Sequence, residues 1–193
     1  MPLWAAYRGL LMTNHVHLVV TPATEEALAR AIGRTHLMYA QYVHRMHRRA
    51  GHFWQNRFYS CPLDDAHAHN ALAYVELNPV RARMHTRAWK YPWSSAGVHC
   101  GHRKNSAGLL SLGLLQDMTP GVWQATLKAI ARDEEVTERL RTHTRTGRPL
   151  GTDAFLAKIE TMLGRRVRPL PIGRQKGWRK AQDLQEEKQW EHV

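Results

Sequence analysis

The sequence has few cysteines and no long apolar run. Its two cysteines, Cys61 and Cys100, cannot frame a disulfide scaffold or a zinc finger. No apolar run reaches the length of about 18 residues that a membrane-spanning helix needs, so we expect no membrane partner. The first residues lack the basic start and apolar middle of a signal peptide. These absences favour a reducing compartment, and we predict a cytoplasmic protein.

Acidic residues are also scarce. The 28 lysines and arginines outnumber the 16 aspartates and glutamates, which gives a formal net charge of +12. The sequence pI is near 10.3. Such an excess of positive charge predicts a polyanionic partner, most often nucleic acid. The alternative is a basic protein that has no such partner.

Two histidines stand in a segment that is rich in β-branched residues, 14–20. Residues two apart on a strand point to the same face, so His15 and His17 are predicted to project together. Val16 and Leu18 are then predicted to point into the core. Because neutral imidazole nitrogen commonly binds divalent metals, the pair is a candidate metal site. The alternative is two polar positions on the exposed face of a half-buried strand.

The pattern around this segment predicts a strand over 4–12 and a helix over 24–51. Thr24 is the expected N-cap of the helix, and apolar residues recur along it at spacings of three and four. Arginines lie on another face of the helix: Arg30, Arg34, Arg45 and Arg48. No acidic residue occurs between Glu26 and Asp64. This arginine face therefore favours contact with phosphates over a merely solvated surface.

Aromatic residues are concentrated at 53–59, which lead into a short predicted strand at 61–63. Aromatic rings beside an arginine, here Arg57, can stack on splayed bases. Packing in the core or at a sheet edge is the alternative. A second helix is predicted to begin at 64–65 and to be limited by Pro79, which cannot continue the helical hydrogen bonds without a kink.

Tyr74 and Asn78 lie four residues apart on this second helix and therefore share a face. Beside the two histidines they can form a composite site. In that site Tyr74 is the nucleophile, and Asn78 offers its carbonyl oxygen to a hard cation. The alternative makes Tyr74 a packing residue and Asn78 a helix-end residue that prepares the Pro79 turn.

The second half of the chain predicts a loop over 96–108 and then three helices. One helix has Thr119 as its N-cap, and the others cover 133–141 and 153–163. A basic run without acids follows: Arg165, Arg166, Arg168, Arg174, Lys176, Arg179 and Lys180. It predicts a disordered tail that contacts phosphate, with a merely solvated tail as the alternative.

Four motifs stand in the order found in a known family. They are NHVHLVV at 14–20, GHFWQNRF at 51–58, YVELNPVRA at 74–82 and WSS at 93–95. Together they resemble the REP-associated tyrosine transposases, which belong to the single-tyrosine HUH (histidine–hydrophobic–histidine) transposases of the insertion-sequence-200-like family. Residues 146–151 and 163–166 are similar to the carboxy-terminal part of that family.

The resemblance implies an α+β fold with a ferredoxin-like antiparallel sheet and helices on one face. Relative to the pattern β-α-β-β-α-β, the first strand and helix are missing, which would expose hydrogen-bonding groups of the sheet and predicts a truncated or decayed copy. Thr13 also replaces the proline usual before the asparagine. The expected domains are an incomplete transposase domain over 1–96, a helical extension over 97–168 and a basic tail over 169–193.

The resemblance also implies a chemistry. A divalent metal, Mg or Mn, is held by His15, His17 and Asn78, and the Tyr74 hydroxyl attacks a phosphodiester of single-stranded DNA to give a 5′-phosphotyrosine link. The DNA contacts that we predict are Arg30, Arg34, Arg45, Arg48, Arg57, Arg165, Arg166, Arg174, Lys176, Arg179 and Lys180.

The expected partner is single-stranded or hairpin DNA from repetitive extragenic palindromes. The protein is then a monomer or homodimer in the bacterial cytoplasm, associated with the nucleoid. Two alternatives remain open. One is a degenerate, non-catalytic nucleic-acid-binding protein, and the other is a metal-dependent nuclease that activates water.

Overall fold

An antiparallel hairpin opens the fold. The computed structural model describes residues 4–106, 108 and 110–170, with side chains from residue 9 onward. Strand β1 covers Trp4–Leu11 and strand β2 covers Val16–Pro22, and the two pair antiparallel. β1 agrees with the strand predicted over 4–12. His15 lies just before β2, whereas His17 lies within it.

Six helices follow within the described residues. They are α1 Ala27–His47, α2 Asp65–Arg81, α3 Ala96–His99, α4 Pro120–Ile130, α5 Glu134–Thr146 and α6 Asp153–Leu163. The fold is therefore α+β, consistent with a partial ferredoxin-like fold that continues into a helical extension. None of the helices in the described part of the chain is long and apolar enough to cross a membrane.

The hairpin buries the face opposite to the one predicted. Leu10 is fully buried, and Val19 packs beside it against the core. Val16 is 48 % exposed and Leu18 is 39 % exposed, so the prediction that these two point into the core is wrong. The reason is that apolar side chains of α2 pack on the other face of the sheet, which is the face that carries His17. The histidine face is therefore the packed face.

The predicted cap of α1 is also wrong. The N-cap residue is Glu26, which makes no capping bond with its side chain. The Thr24 hydroxyl instead donates to the Glu26 carboxylate at 3.4 Å. Ala27 and Ile32 are the buried residues of α1, so the amino-terminal half of the helix carries its buried contacts.

α2 continues two residues beyond the predicted limit at Pro79. Asp64 caps the helix, and its carboxylate accepts a backbone N–H three residues on at 3.0 Å. Pro79 has no N–H to offer the carbonyl of Val75, and Asn78 Nδ2 donates to that carbonyl at 3.4 Å. Pro79 stands in the last turn of α2, and Asn78 Nδ2 replaces it as the donor to the Val75 carbonyl. The helix can therefore continue to Arg81.

The core is centred on α2. Leu72 and Leu77 of α2 pack against Trp123 and Leu127 of α4 in the largest buried cluster. The extension therefore covers a face of α2 that the two-stranded sheet leaves open. Helices α4 and α5 both contact α2.

A buried polar network fastens α2 to its neighbours. The Glu76 side chain is fully buried, and its Oε1 accepts a hydrogen bond from Ser95 Oγ at 2.8 Å and one from His99 Nδ1 at 2.6 Å. Its Oε2 accepts from Trp123 Nε1 at 2.9 Å. These bonds join α2 to α3 and α4 through one carboxylate.

The segment around Ser95 also adds to the sheet. The N–H of Leu11 donates to the carbonyl of Trp93 at 3.0 Å, and the N–H of Ser95 donates to the carbonyl of Gly9 at 3.1 Å. The WSS motif therefore lines the edge of β1 that β2 leaves open. The loop predicted over 96–108 is in part wrong, because α3 forms there on the buried side of this segment.

The strand predicted at 61–63 is wrong. Leu63 forms an isolated bridge with Leu150, supported by a bond from the Leu150 N–H to the Pro62 carbonyl at 2.9 Å. Its partner is a loop of the extension, not a strand of the sheet. The segment 146–151, which the sequence linked to the family, thus lies against the start of α2.

The remaining helices follow their local signals. Thr119 caps α4, as predicted, and its hydroxyl accepts from the N–H of Val122. Asp133 caps α5, which ends five residues beyond the predicted end at 141 and is followed by a left-handed Gly147. α6 matches its prediction. The tail predicted over 169–193 lies, from residue 171 onward, outside the described residues.

Candidate active site

The two histidines meet at their outer nitrogens. His15 Nε2 lies 3.1 Å from His17 Nε2, and the rings are nearly perpendicular, with centroids 4.8 Å apart. Asn14 Oδ1, which can only accept, is 2.7 Å from His15 Nδ1. In the tautomer that satisfies this contact, Nδ1 of His15 donates to Asn14 and Nε2 presents a lone pair toward His17.

The environment keeps His17 uncharged at neutral pH. Burial, and next the charge of His15, lower the pKa of His17 from 6.5 to about 4. A metal ligand must offer a lone pair, so the neutral imidazole is the form that binds a cation. His17 is in that form over the whole physiological range.

The pair fits one divalent cation. Nitrogens that each bind one ion at about 2.1 Å lie within about 4.2 Å of each other, and the observed 3.1 Å meets this condition. Among the described residues, no group of three or more His, Cys, Asp or Glu side chains is placed to hold a metal. Within the described residues, a further protein ligand would therefore be of another residue type, and an amide oxygen such as that of Asn78 qualifies.

Tyr74 lies beside this pair. Its ring centroid is 6.4 Å from that of His17, and the rings meet edge to face at 85°. Tyr74 is half-buried and packs against two buried clusters, one that contains Leu10 of the sheet and one that contains Leu140 and Leu150 of the extension. The structure thus brings together three of the predicted site residues, His15, His17 and Tyr74.

Asn78 lies one helical turn after Tyr74 on α2 and is half-buried. Because its Nδ2 donates to the carbonyl of Val75, its Oδ1 is the end of the amide left to accept or to ligate. The contact of Asn78 with a metal stays a prediction.

Arg81 was not among the predicted site residues, although it stands in the YVELNPVRA motif. Its Nη1 donates to the carbonyl of Tyr74 at 2.9 Å, and its guanidinium carbon lies 4.8 Å from the centre of the Tyr74 ring. Its Nη2 donates at 3.1 Å to the hydroxyl of Thr137, a buried residue of α5. Burial is the main cause that lowers the pKa of Arg81. A guanidinium nevertheless stays charged in proteins.

The sequence does contain a signal for Arg81. It follows Tyr74 by seven residues, which is about two helical turns and places both on one face. Nothing local points to Thr137, because it lies 56 residues further along the chain.

The predicted DNA contacts divide into two groups. Seven of them are exposed: Arg30, Arg34, Arg45, Arg48, Arg57, Arg165 and Arg166. The other four lie outside the described residues: Arg174, Lys176, Arg179 and Lys180. Exposure permits contact with phosphate, and the contacts themselves stay predictions.

A comparison with protein families gives a match over the amino-terminal part of the chain. Residues 4–78 match the family model described as "Transposase IS200 like", a stretch that includes the histidine pair, Tyr74 and Asn78. Residues 4–78 are therefore similar to the IS200-like transposases. The REP-associated subgroup stays a prediction. Searches of curated proteins and of solved structures found no match.

Proposed function

We propose that this protein is a single-tyrosine transposase that cleaves and rejoins single-stranded DNA, with Tyr74 as its nucleophile. The observation that carries the proposal is the placement of the Tyr74 ring 6.4 Å from that of His17, whose Nε2 meets that of His15. The family resemblance points to hairpins from repetitive extragenic palindromes as the substrate.

The proposed reaction is a transesterification at one phosphodiester. The Tyr74 oxygen bonds to the scissile phosphorus, the bond from phosphorus to the 3′ oxygen breaks, and the phenol proton is lost while the freed 3′ oxygen gains one. The products are a 5′-phosphotyrosine link and a 3′-hydroxyl, and the reverse attack rejoins a strand without a nucleotide cofactor. Fixed geometry makes the attack effectively unimolecular.

His15, His17 and Asn78 would hold a divalent cation, Mg or Mn. When bound, it polarises the scissile phosphate and offsets the charge of the transition state. The chain's own contribution is the orientation of the ligands. Asn14 fixes the tautomer of His15, and the sheet fixes the ring of His17.

The histidine pair can be tested by substitution. We expect His15→Ala together with His17→Ala to lower metal-dependent cleavage of a labelled hairpin at least about a hundredfold, because both nitrogen ligands are lost. Binding of the uncleaved hairpin should change little. His102→Ala, which removes an exposed imidazole elsewhere, is the control. Undiminished cleavage by the double variant would remove the metal site from the proposal.

Arg81 has a positioning role in this proposal, since it holds both the carbonyl and the ring of Tyr74. We expect Arg81→Gln to slow adduct formation at saturating DNA by about ten- to a hundredfold, because a small displacement of the nucleophile is costly. Thr137→Val keeps the size of its side chain and should give part of this effect. Thr142→Val is the matched control on α5, where the hydroxyl contacts exposed Glu138. Equal rates in the two threonine variants would show that Thr137 does not hold Arg81 in place.

A further inference from the structure

One ridge of α1 carries aromatic residues and then arginines. The ridge advances in steps of three residues through His36, Tyr39, Tyr42 and Arg45, and Arg48 follows as the C-cap residue, in the left-handed conformation just beyond the end of α1. Residues three apart on a helix are neighbours on its surface. Tyr39 is 50 % exposed, Tyr42 is 59 % exposed, and both arginines are exposed. The ridge is therefore open to a partner from Tyr39 onward.

The segment after α1 braces the start of this ridge. Trp54 stacks on His36 with ring centroids 3.9 Å apart, and its Nε1 donates to the His36 carbonyl at 2.9 Å. Phe53, which is 38 % exposed, lies edge to face with Tyr39 at 5.6 Å. Tyr39 and Phe53 are thus held in place while they stay partly open to solvent. We call Tyr39, Tyr42, Arg45, Arg48 and Phe53 the aromatic–arginine surface.

The charge around this surface selects the kind of partner. Residues 27–63 contain six arginines and no acidic residue. A two-fold dimer formed through this surface would bring the arginines of both copies into one interface that contains no acidic residue from 27–63, and like charges repel. A polyanion is attracted instead. Exposed aromatic rings beside arginines suit unpaired bases, which can stack on them, whereas duplex bases are already stacked on one another.

We infer that the aromatic–arginine surface binds unpaired nucleotides of single-stranded DNA. The bases stack on Tyr39, Tyr42 and Phe53, and the phosphates contact Arg45 and Arg48. The surface thereby favours single strands over duplex. This inference rests on the single-stranded substrate proposed above but not on the chemistry at Tyr74.

The test measures binding without cleavage. A labelled oligothymidylate and a duplex of equal length are titrated with the full chain carrying Tyr74→Phe, in the presence of a chelator. In that background we expect Tyr39→Leu, Tyr42→Leu and Phe53→Leu each to weaken single-strand binding about five- to a hundredfold, since leucine keeps apolar bulk but cannot stack. Duplex binding should change far less. Trp93→Leu is the control, because that ring is 63 % exposed and lies outside the surface.

Arg45→Gln should in addition flatten the dependence of log affinity on log salt, as the loss of a phosphate contact requires. Arg139→Gln is the control, because it removes the same charge from an exposed position on α5. It should leave the salt dependence unchanged. Tyr42 is exposed, so its variant stays informative if Phe53→Leu fails to fold.

Three results would overturn the inference. In the first, all three leucine variants bind oligothymidylate as the parent does, or lose duplex binding equally. In the second, sedimentation shows a dimer that the leucine substitutions dissociate while single-strand binding is kept. In the third, Tyr42→Leu abolishes binding to anionic phospholipid vesicles but not to DNA. A chain that forms no adduct yet shows the expected losses refutes the chemistry at Tyr74 and keeps this surface.

Discussion

Replacing Tyr74 by phenylalanine is expected to abolish the covalent protein–DNA adduct. The substitution removes one hydroxyl and keeps the ring, which contacts His17 and Arg81 and packs against the buried cluster that contains Leu140 and Leu150. Folding and DNA binding should therefore stay close to those of the parent protein. The measurement is denaturing electrophoresis of a labelled single-stranded hairpin incubated with Mn.

Tyr91→Phe is the matched control for this experiment. Tyr91 belongs to the buried cluster against which Tyr74 packs. Its hydroxyl donates to the carbonyl of Leu11 at 2.8 Å. Its substitution should cost some stability and leave the adduct in place. An adduct that persists in Tyr74→Phe would assign the nucleophile to another residue. Cleavage without any adduct in the parent protein would favour the water-activating nuclease, and binding without cleavage would favour the non-catalytic DNA-binding protein.

Local signals in the sequence identified most elements of this fold. The Thr119 cap of α4 and the helix starts at 64–65 and at 133 follow from residues within a single helical turn, and all three agree with the structure. The Thr24 cap and the carboxy-terminal ends of α2 and α5 are local predictions that failed, whereas the other failures depend on partners far along the chain. Which face of β2 is buried is decided by α2, and the segment at 61–63 meets a loop that begins after α5.

The site divides in the same way. The spacing of His15 and His17 was enough to predict that their rings lie together, because only one residue separates them, although His15 lies just before β2. Tyr74 was predicted as a site residue from its motif. The sequence of α2 alone does not show that a sheet with two histidines lies beside the helix. The bond from Arg81 to Thr137 joins residues 56 positions apart, and only the packing of α5 on α2 creates it.

A second large effect is expected on stability when Glu76, whose carboxylate is buried, is substituted. We expect Glu76→Ala to lower the free energy of unfolding by about 3–5 kcal/mol, because it removes the shared acceptor of a buried network. Ser95, His99 and Trp123 would each lose the carboxylate oxygen to which they donate. Since small domains are stable by only about 5–15 kcal/mol, this loss would shift the urea midpoint strongly.

Glu138→Ala is the matched control for the urea experiment. Glu138 is an exposed glutamate on α5 that pairs with Arg141 at 2.6 Å, and its loss should cost at most about 1 kcal/mol. Trp123→Phe removes one donor from the network and keeps most of the ring, so we expect an intermediate loss of about 1–3 kcal/mol. If Glu76→Ala unfolded at the same urea concentration as Glu138→Ala, the network would not be what fastens α2. Because Glu76 lies on α2 between Tyr74 and Asn78, a loosened α2 should also slow adduct formation under conditions where the variant is still folded.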